Sequence, residues 1–235
     1  MGRKVFLSVL GASDYKECKY VENEKSFVSP PVRFIQEAML LYHKANRWPS
    51  NSVGYIFVTD GKCGSRNKNW LDNGHKDPKT KQIIECEGLE TRLDKLNLPF
   101  KVDPKPIKNG YNEEDIWDIF ITIYDLLEDN DEVYFDITHA FRFMPMLVLV
   151  LCNYAKFLKK IVVKHISYGN YEGRDRDKNE SPILNLNSLS VLQDWTNGVN
   201  QFVSGGSVTS LVSLIEDKEL SSALKDFSAT FLGCR

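Results

Sequence analysis

The sequence has no glycine-rich phosphate loop. Neither G-x-G-x-x-G nor G-x-x-x-x-G-K-[ST] occurs among its 235 residues, so neither dinucleotide nor Walker-type nucleotide binding is supported. There is no G-x-S-x-G elbow to support a hydrolase triad. The four histidines, His43, His75, His139 and His165, fall in different segments without HxxxH or HExxH spacing, and no metal site is expected. The five cysteines (Cys18, Cys63, Cys86, Cys152 and Cys234) are odd in number and none has CxxC spacing. That argues for free thiols in a reducing, cytoplasmic setting rather than a disulfide framework. No apolar run is long enough to span a bilayer, and Val5–Leu10 is too short for a signal peptide, so no membrane partner is expected. Basic residues are not in excess: 30 Lys and Arg against 32 Asp and Glu give a net charge of −2. With no helix-turn-helix signal either, no DNA partner is expected, although a local basic pocket for a small anion is compatible with that balance.

What is present is enough to build a core, since hydrophobic residues make up 42% of the chain. Val5–Leu10 reads as a buried first strand closed by Gly11-Ala12-Ser13-Asp14. Lys19–Val28 reads as a hairpin, and Val32–Ala45 carries Phe34, Ile35, Ala38, Leu41 and Tyr42 at helical spacing. Val53–Thr59 is a second buried strand. Asp60–Pro78 reads as a long, solvated, mobile loop, although Lys62, Arg66, Lys68, Trp70 and His75 in it could stack on and neutralise a nucleotide. Thr80–Leu96 reads as a helix interrupted by Gly88. The prolines of Phe100–Ile107 argue for an edge strand.

Further along, Glu113–Leu127 is an amphipathic helix with an acidic first turn, followed by the strand Glu132–Ile137. Phe143–Leu158 is apolar on nearly every side, as a helix packed between layers would be, with Pro145 tolerated in its first turn. Ile161–Tyr168 is a strand, Tyr171–Glu180 a charged, solvated loop, and Pro182–Leu186 an extended arm. Helices are expected over Ser188–Phe202, ended by Gly205-Gly206, and over Val208–Ile215 and Ser221–Phe231. This alternation predicts an α/β fold: a Rossmann-like, mostly parallel sheet with helices on both faces, followed by a short C-terminal helical extension. The expected division is residues 1–186 as the sheet domain and residues 187–235 as a helical linker or the remnant of an effector domain.

In open α/β sheets ligands bind beyond the carboxyl ends of the strands. Two such ends stand out here. One is Gly11-Ala12-Ser13-Asp14. The other is Asp136-Ile137-Thr138-His139-Ala140-Phe141-Arg142. In the second, N–H groups entering a helix, the Thr138 hydroxyl, the His139 ring and a bidentate Arg142 suit a nucleotide. The alternative is structural: Thr138 caps the helix, His139 packs at its end and Arg142 pairs with Asp136. Ser13 could donate to a phosphate, but its segment also reads as an ordinary turn. Asn109-Gly110 likewise reads as a turn that follows a strand and precedes a helix.

The segment Asp136–Arg142 followed by Pro145 resembles the Asp-x-Thr-His-Gly-x-Arg…Pro signature of CRISPR-associated Rossmann-fold (CARF) proteins, and more narrowly of the ancillary ribonucleases of type III CRISPR systems. Val5–Tyr15, Ile107–Trp117, Ile166–Gly169, and Pro182–Leu186 with Asp194, Trp195 and Phe202 resemble further family segments in the same order. The resemblance implies a homodimer holding a cyclic oligoadenylate (tetra- or hexa-adenylate) across its two-fold axis, as a sensor in antiviral defence. No cofactor is implied. Matching positions place Gly11, Ala12, Ser13, Thr138, His139 and Arg142 at the pocket, with Asn109 and Gly110 as additions. Ala140 departs from the family's usual glycine.

Relatives carry a C-terminal HEPN ribonuclease domain with an Arg-x4-6-His motif. Because the last histidine here is His165, that centre is expected to be missing. The resemblance leaves two functional expectations. One is a sensor that normally controls such an effector. The other is a metal-independent ring nuclease that cleaves the messenger, for which His139, Arg142 and Ser13 are the residues to test. A generic nucleotide-binding module acting through a partner is the third and weakest reading.

Overall fold

The computed structural model describes residues 2–22, 26–73, 75–77, 79–84 and 86–233. Cys234 lies outside them. The chain divides into two compact units, Met1–Leu186 and Asn187–Arg235.

The first unit is a seven-stranded sheet. Its strands are β1 (Lys4–Val9), β2 (Lys19–Glu22), β3 (Val53–Thr59), β4 (Lys101–Ile107), β5 (Glu132–Asp136), β6 (Val162–Gly169) and β7 (Glu180–Asn185). They lie in the order β2-β7-β6-β5-β1-β3-β4. The run from β6 through β5, β1 and β3 to β4 is parallel throughout. β7 turns back antiparallel to β6, and β2 pairs parallel to β7 at the far edge. The mostly parallel Rossmann-like sheet is therefore present. The proline-bearing β4 pairs only with β3, on the edge where missing N–H donors matter least. Val28 bridges antiparallel to Val21, while the strand β2 itself is paired with β7.

Alternation along β1 explains the two layers. Val5, Leu7 and Val9 enter one core cluster with α3 (Glu113–Asp125) and α4 (Met144–Leu158). Phe6 and Leu10 enter the other, with α1 (Ile35–Tyr42) and α2 (Leu89–Asp94). The α2 helix is much shorter than Thr80–Leu96, because it starts only after Gly88, an extended residue at the helix entrance. Asn112 caps α3, accepting from the Asp115 amide, and three acidic residues in the first turn complement the helix dipole.

α4 is the main departure from expectation. One face is buried through Leu147, Val148, Leu151 and Ala155, while Met146, Val150, Tyr154 and Phe157 on the other are exposed. Apolarity all round a helix signals that both faces want cover, but this chain covers only one of them.

The second unit comprises α5 (Asn187–Gly205), α6 (Thr209–Val212) and α7 (Lys218–Gly233). α5 ends as its glycines require: Gly206 adopts φ +72° and its amide returns to the Phe202 carbonyl. Phe202 and Phe227 pack edge to face, and the Ser228 hydroxyl donates to the Gly206 carbonyl. Among the described residues no helix is long and apolar enough to cross a membrane, and no group of His, Cys, Asp and Glu is placed to hold a metal ion.

Candidate functional site

β1 lies between β3 and β5, and the chain crosses from one side of it to the other between β4 and β5. The carboxyl ends of β1 and β5 therefore flank the switch point where open sheets form a crevice. The crevice floor is a buried polar chain. The Gln36 amide donates to the Ser8 hydroxyl (3.0 Å) and to the Val9 carbonyl (3.1 Å). Ser8 donates to the Asp136 carboxyl (2.7 Å), and Thr138 donates to it through both its amide (3.1 Å) and its hydroxyl (2.5 Å). The Thr138 hydroxyl in turn accepts from the Gly169 amide at 2.8 Å, tying the end of β6 to β5.

Asp136 is fully buried, and desolvation raises its pKa against the lowering effect of these donors. Two structural assignments from the sequence fail here. Thr138 does not cap α4, which begins six residues later at Met144, and its hydroxyl proton is already committed to Asp136. Arg142 does not pair with Asp136, whose partners are Ser8 and Thr138.

His139 packs on Tyr15, with ring centroids 4.2 Å apart. Its Nε2 is buried without a hydrogen-bond partner among the described residues, and burial lowers its pKa to about 4. The ring is neutral at neutral pH. Gly11 is needed where Tyr15 crosses the end of β1, since a Cβ there would lie 2.5 Å from the Tyr15 hydroxyl. Beyond it, Ala12 and Ser13 are exposed. The turn is held from below by fully buried Asn69, whose amide donates to the Gly11 carbonyl (2.6 Å) and the Ser13 carbonyl (3.0 Å).

Asn69 belongs to a π-helical turn, Arg66–Trp70, in the segment expected to be solvated and mobile. That expectation is corrected for the described residues, because Trp70 and His75 are buried. Arg33 bonds Asp72 and His75, and Asp14 accepts from Lys68 at 2.8 Å. The segment's polar composition hid its order, since Arg66 pairs with Asp60, Asp72 with His75 and Arg33, and Lys68 with Asp14.

A cleft of about 470 Å³ opens above this floor, lined by Ser13, Tyr15, Lys16, Arg33, Thr138, His139, Tyr171 and Arg174 among others. Of the residues singled out from the sequence it gathers Ser13, Thr138 and His139. Asn109 borders a second cleft of about 540 Å³ with Asp60, Lys108 and Asp118. Gly110 sits at φ +70° with Phe143 against it: a Cβ would lie 2.5 Å from the Phe143 ring. Arg142 is exposed and has no hydrogen bond or ion pair among the described residues. Ala140 does not have a positive φ, so the residue that departs from the signature is not strained.

The sequence reading passed over Gln36, Ser8, Asn69, Tyr171 and Arg174. Only the adjacency of Tyr171 and Arg174 to the end of β6 hinted at them.

Residues 5–172 match the family described as the CARF domain of the CRISPR system endoribonuclease Csx1. A stretch of 129 residues is 30% identical to the CRISPR-associated protein MJ1674 of Methanocaldococcus jannaschii, covering 53% of this chain and 20% of that protein. The match thus spans about a fifth of that relative's length.

Proposed function

The chain belongs to the Csx1 CARF-domain family, and on that premise we propose that it is a CRISPR-associated sensor that binds a cyclic oligoadenylate at a homodimer interface. The observation that carries the reading is the switch-point cleft. Three of the residues marked by the family signature and the β1 turn, Ser13, Thr138 and His139, line one space, and the His139 Nε2 there is buried and unpartnered. A neutral imidazole in that position suits an adenine edge or a ribose hydroxyl, both of which can donate or accept. Gly11 and Ala12 support the same turn.

Support for the dimer comes from the bare side of α3 and α4. Trp117, Met146 and Phe157 are 57%, 70% and 73% exposed, far more than large apolar groups on a monomer surface need to be. An apolar groove of about 510 Å³, lined by Trp117, Phe120, Phe143, Met146, Val150 and Tyr154 among others, lies between the two helices. Its Phe143 end adjoins Arg142 and Gly110. A second copy seated there would bring two sets of motif residues toward one axis and place Arg142 beside a shared ligand, an isologous arrangement that suits a symmetric ring.

The test is calorimetric titration of the purified chain with cyclic tetra-adenylate and cyclic hexa-adenylate, with mass determined by light scattering and products separated by chromatography. Binding to a dimer with the ring intact supports the sensor. A monomer that binds neither ring overturns the reading. Linear products would favour ring cleavage, the second reading, in which a ribose 2′-OH attacks the adjacent phosphorus as the bond to the 5′-oxygen breaks. The unpartnered His139 Nε2 is the observation that favours testing it, and His139→Ala would then abolish product while leaving binding.

A further inference from the structure

The cleft must meet a ligand rich in phosphodiesters, yet the histidine in its floor is neutral and the arginine of the signature lies outside it. Its cations are Lys16, Arg33 and Arg174. Arg33 is already engaged by Asp72, His75 and the Glu87 carbonyl. Lys16 and Arg174 have no ion pair among the described residues. Resting on the ligand class proposed above, we infer that Arg174, held by Tyr171, is the phosphodiester clamp of this cleft, with Lys16 as its second cation.

Arg174 is built for the task. Its guanidinium lies 4.1 Å over the Tyr171 ring. Stacking fixes the guanidinium plane and leaves its edge donors free for two phosphate oxygens. Tyr171 is itself packed against the core cluster beneath α1, and its amide donates to the Gly169 carbonyl at 3.0 Å. The charged segment after β6 is therefore anchored at both ends. Gly173 and Arg174 close turns onto Asn170 and Tyr171, and Asp175 and Glu180 exchange backbone bonds at 2.8 and 3.1 Å. The loop is solvated, as expected, with Glu172, Gly173 and residues 175–179 exposed, and these turns add a defined backbone to it. A pre-positioned guanidinium loses little side-chain entropy on binding, whereas a free surface arginine must be ordered first.

The test is a titration of the full chain and its variants with three probes: cyclic tetra-adenylate, cyclic hexa-adenylate and linear 5′-phosphorylated tri-adenylate, which needs no two-fold axis. Arg174→Ala is expected to weaken the best-bound probe about 10- to 100-fold, with melting temperature and oligomeric state unchanged. The slope of log affinity against log salt should become shallower by about one. Arg174→Lys should recover part of the loss, because it restores the charge without the planar fork. Tyr171→Ala should give a smaller loss that Tyr171→Phe largely rescues, as expected of a positioning residue. If a ring binds and Arg174→Ala leaves its affinity and salt slope unchanged, the clamp assignment falls while the ligand class stands. If none of the three probes binds, both fall.

Discussion

The two ends of one short motif behave differently. Asp136, Thr138 and His139 are held in a buried polar chain or against an aromatic ring. Arg142, three residues after His139, is exposed beside a bare apolar helix face and has no ion pair among the described residues. The first half is committed to shaping a cleft within the chain. The second half has no task that the chain alone supplies. A continuous signature in sequence can thus face two surfaces, and the half left idle within the chain is the half on which the proposed interface should be tested.

Acid should separate the two ends most strongly. Burial holds His139 at about 4 and His43 at about 3, and it also lowers His165. The unfolded chain protonates these rings near 6.5, so unfolding takes up protons as the pH falls below that value. The stability gained by keeping the rings neutral is full above pH 6.5 and is lost between there and the folded values. Between pH 7 and pH 5 the loss is about 2 kcal/mol for each of His139 and His43. Asp136 and Glu37, raised by burial, work in the opposite direction. Denaturant midpoints at the two pH values measure the sum, and His43→Gln should flatten the slope. A His43→Gln slope identical to that of the parent chain would mean that the His43 ring is not held neutral.

Asp136→Ala attacks the buried end directly. It leaves the Ser8 hydroxyl and the Thr138 amide without an acceptor, and it should cost about 3 kcal/mol of unfolding free energy. A loss below about 1 kcal/mol would show that the floor rearranges easily. Arg142→Ala should do the reverse. It should leave stability within about 0.5 kcal/mol and weaken ring binding by about 2 kcal/mol, near thirtyfold. Unchanged affinity would remove Arg142 from the ligand.

The contrast also marks what could be read from the sequence. Strands such as Val53–Thr59 were legible because alternation and length suffice for a buried strand. The position of Thr138 and His139 at the mouth of a cleft was legible because they follow a strand end. Asn69 was not, because its role depends on a turn 58 residues away accepting its amide protons. The ordered segment around His75 was hidden for the same reason, since pairings such as Arg33 with Asp72 join residues 39 apart. The bare face of α4 was misread because an apolar pattern reports the need for cover and not what provides it.

The smallest effect tests the joint between the two halves. Ala140 occupies the position where the signature has glycine, and a glycine there would be required only if the backbone turned left-handed or approached something too closely for a Cβ. Ala140 has no positive φ, and its side chain packs against the α3–α4 core cluster. Ala140→Gly should therefore lower stability by only about 0.5–1 kcal/mol, through added freedom of the unfolded chain and the lost methyl contact. Ring affinity should stay within about twofold, roughly 0.4 kcal/mol. A tenfold gain in affinity at unchanged fold would show instead that the ligand reaches the backbone at this joint, and that the alanine keeps it at a distance.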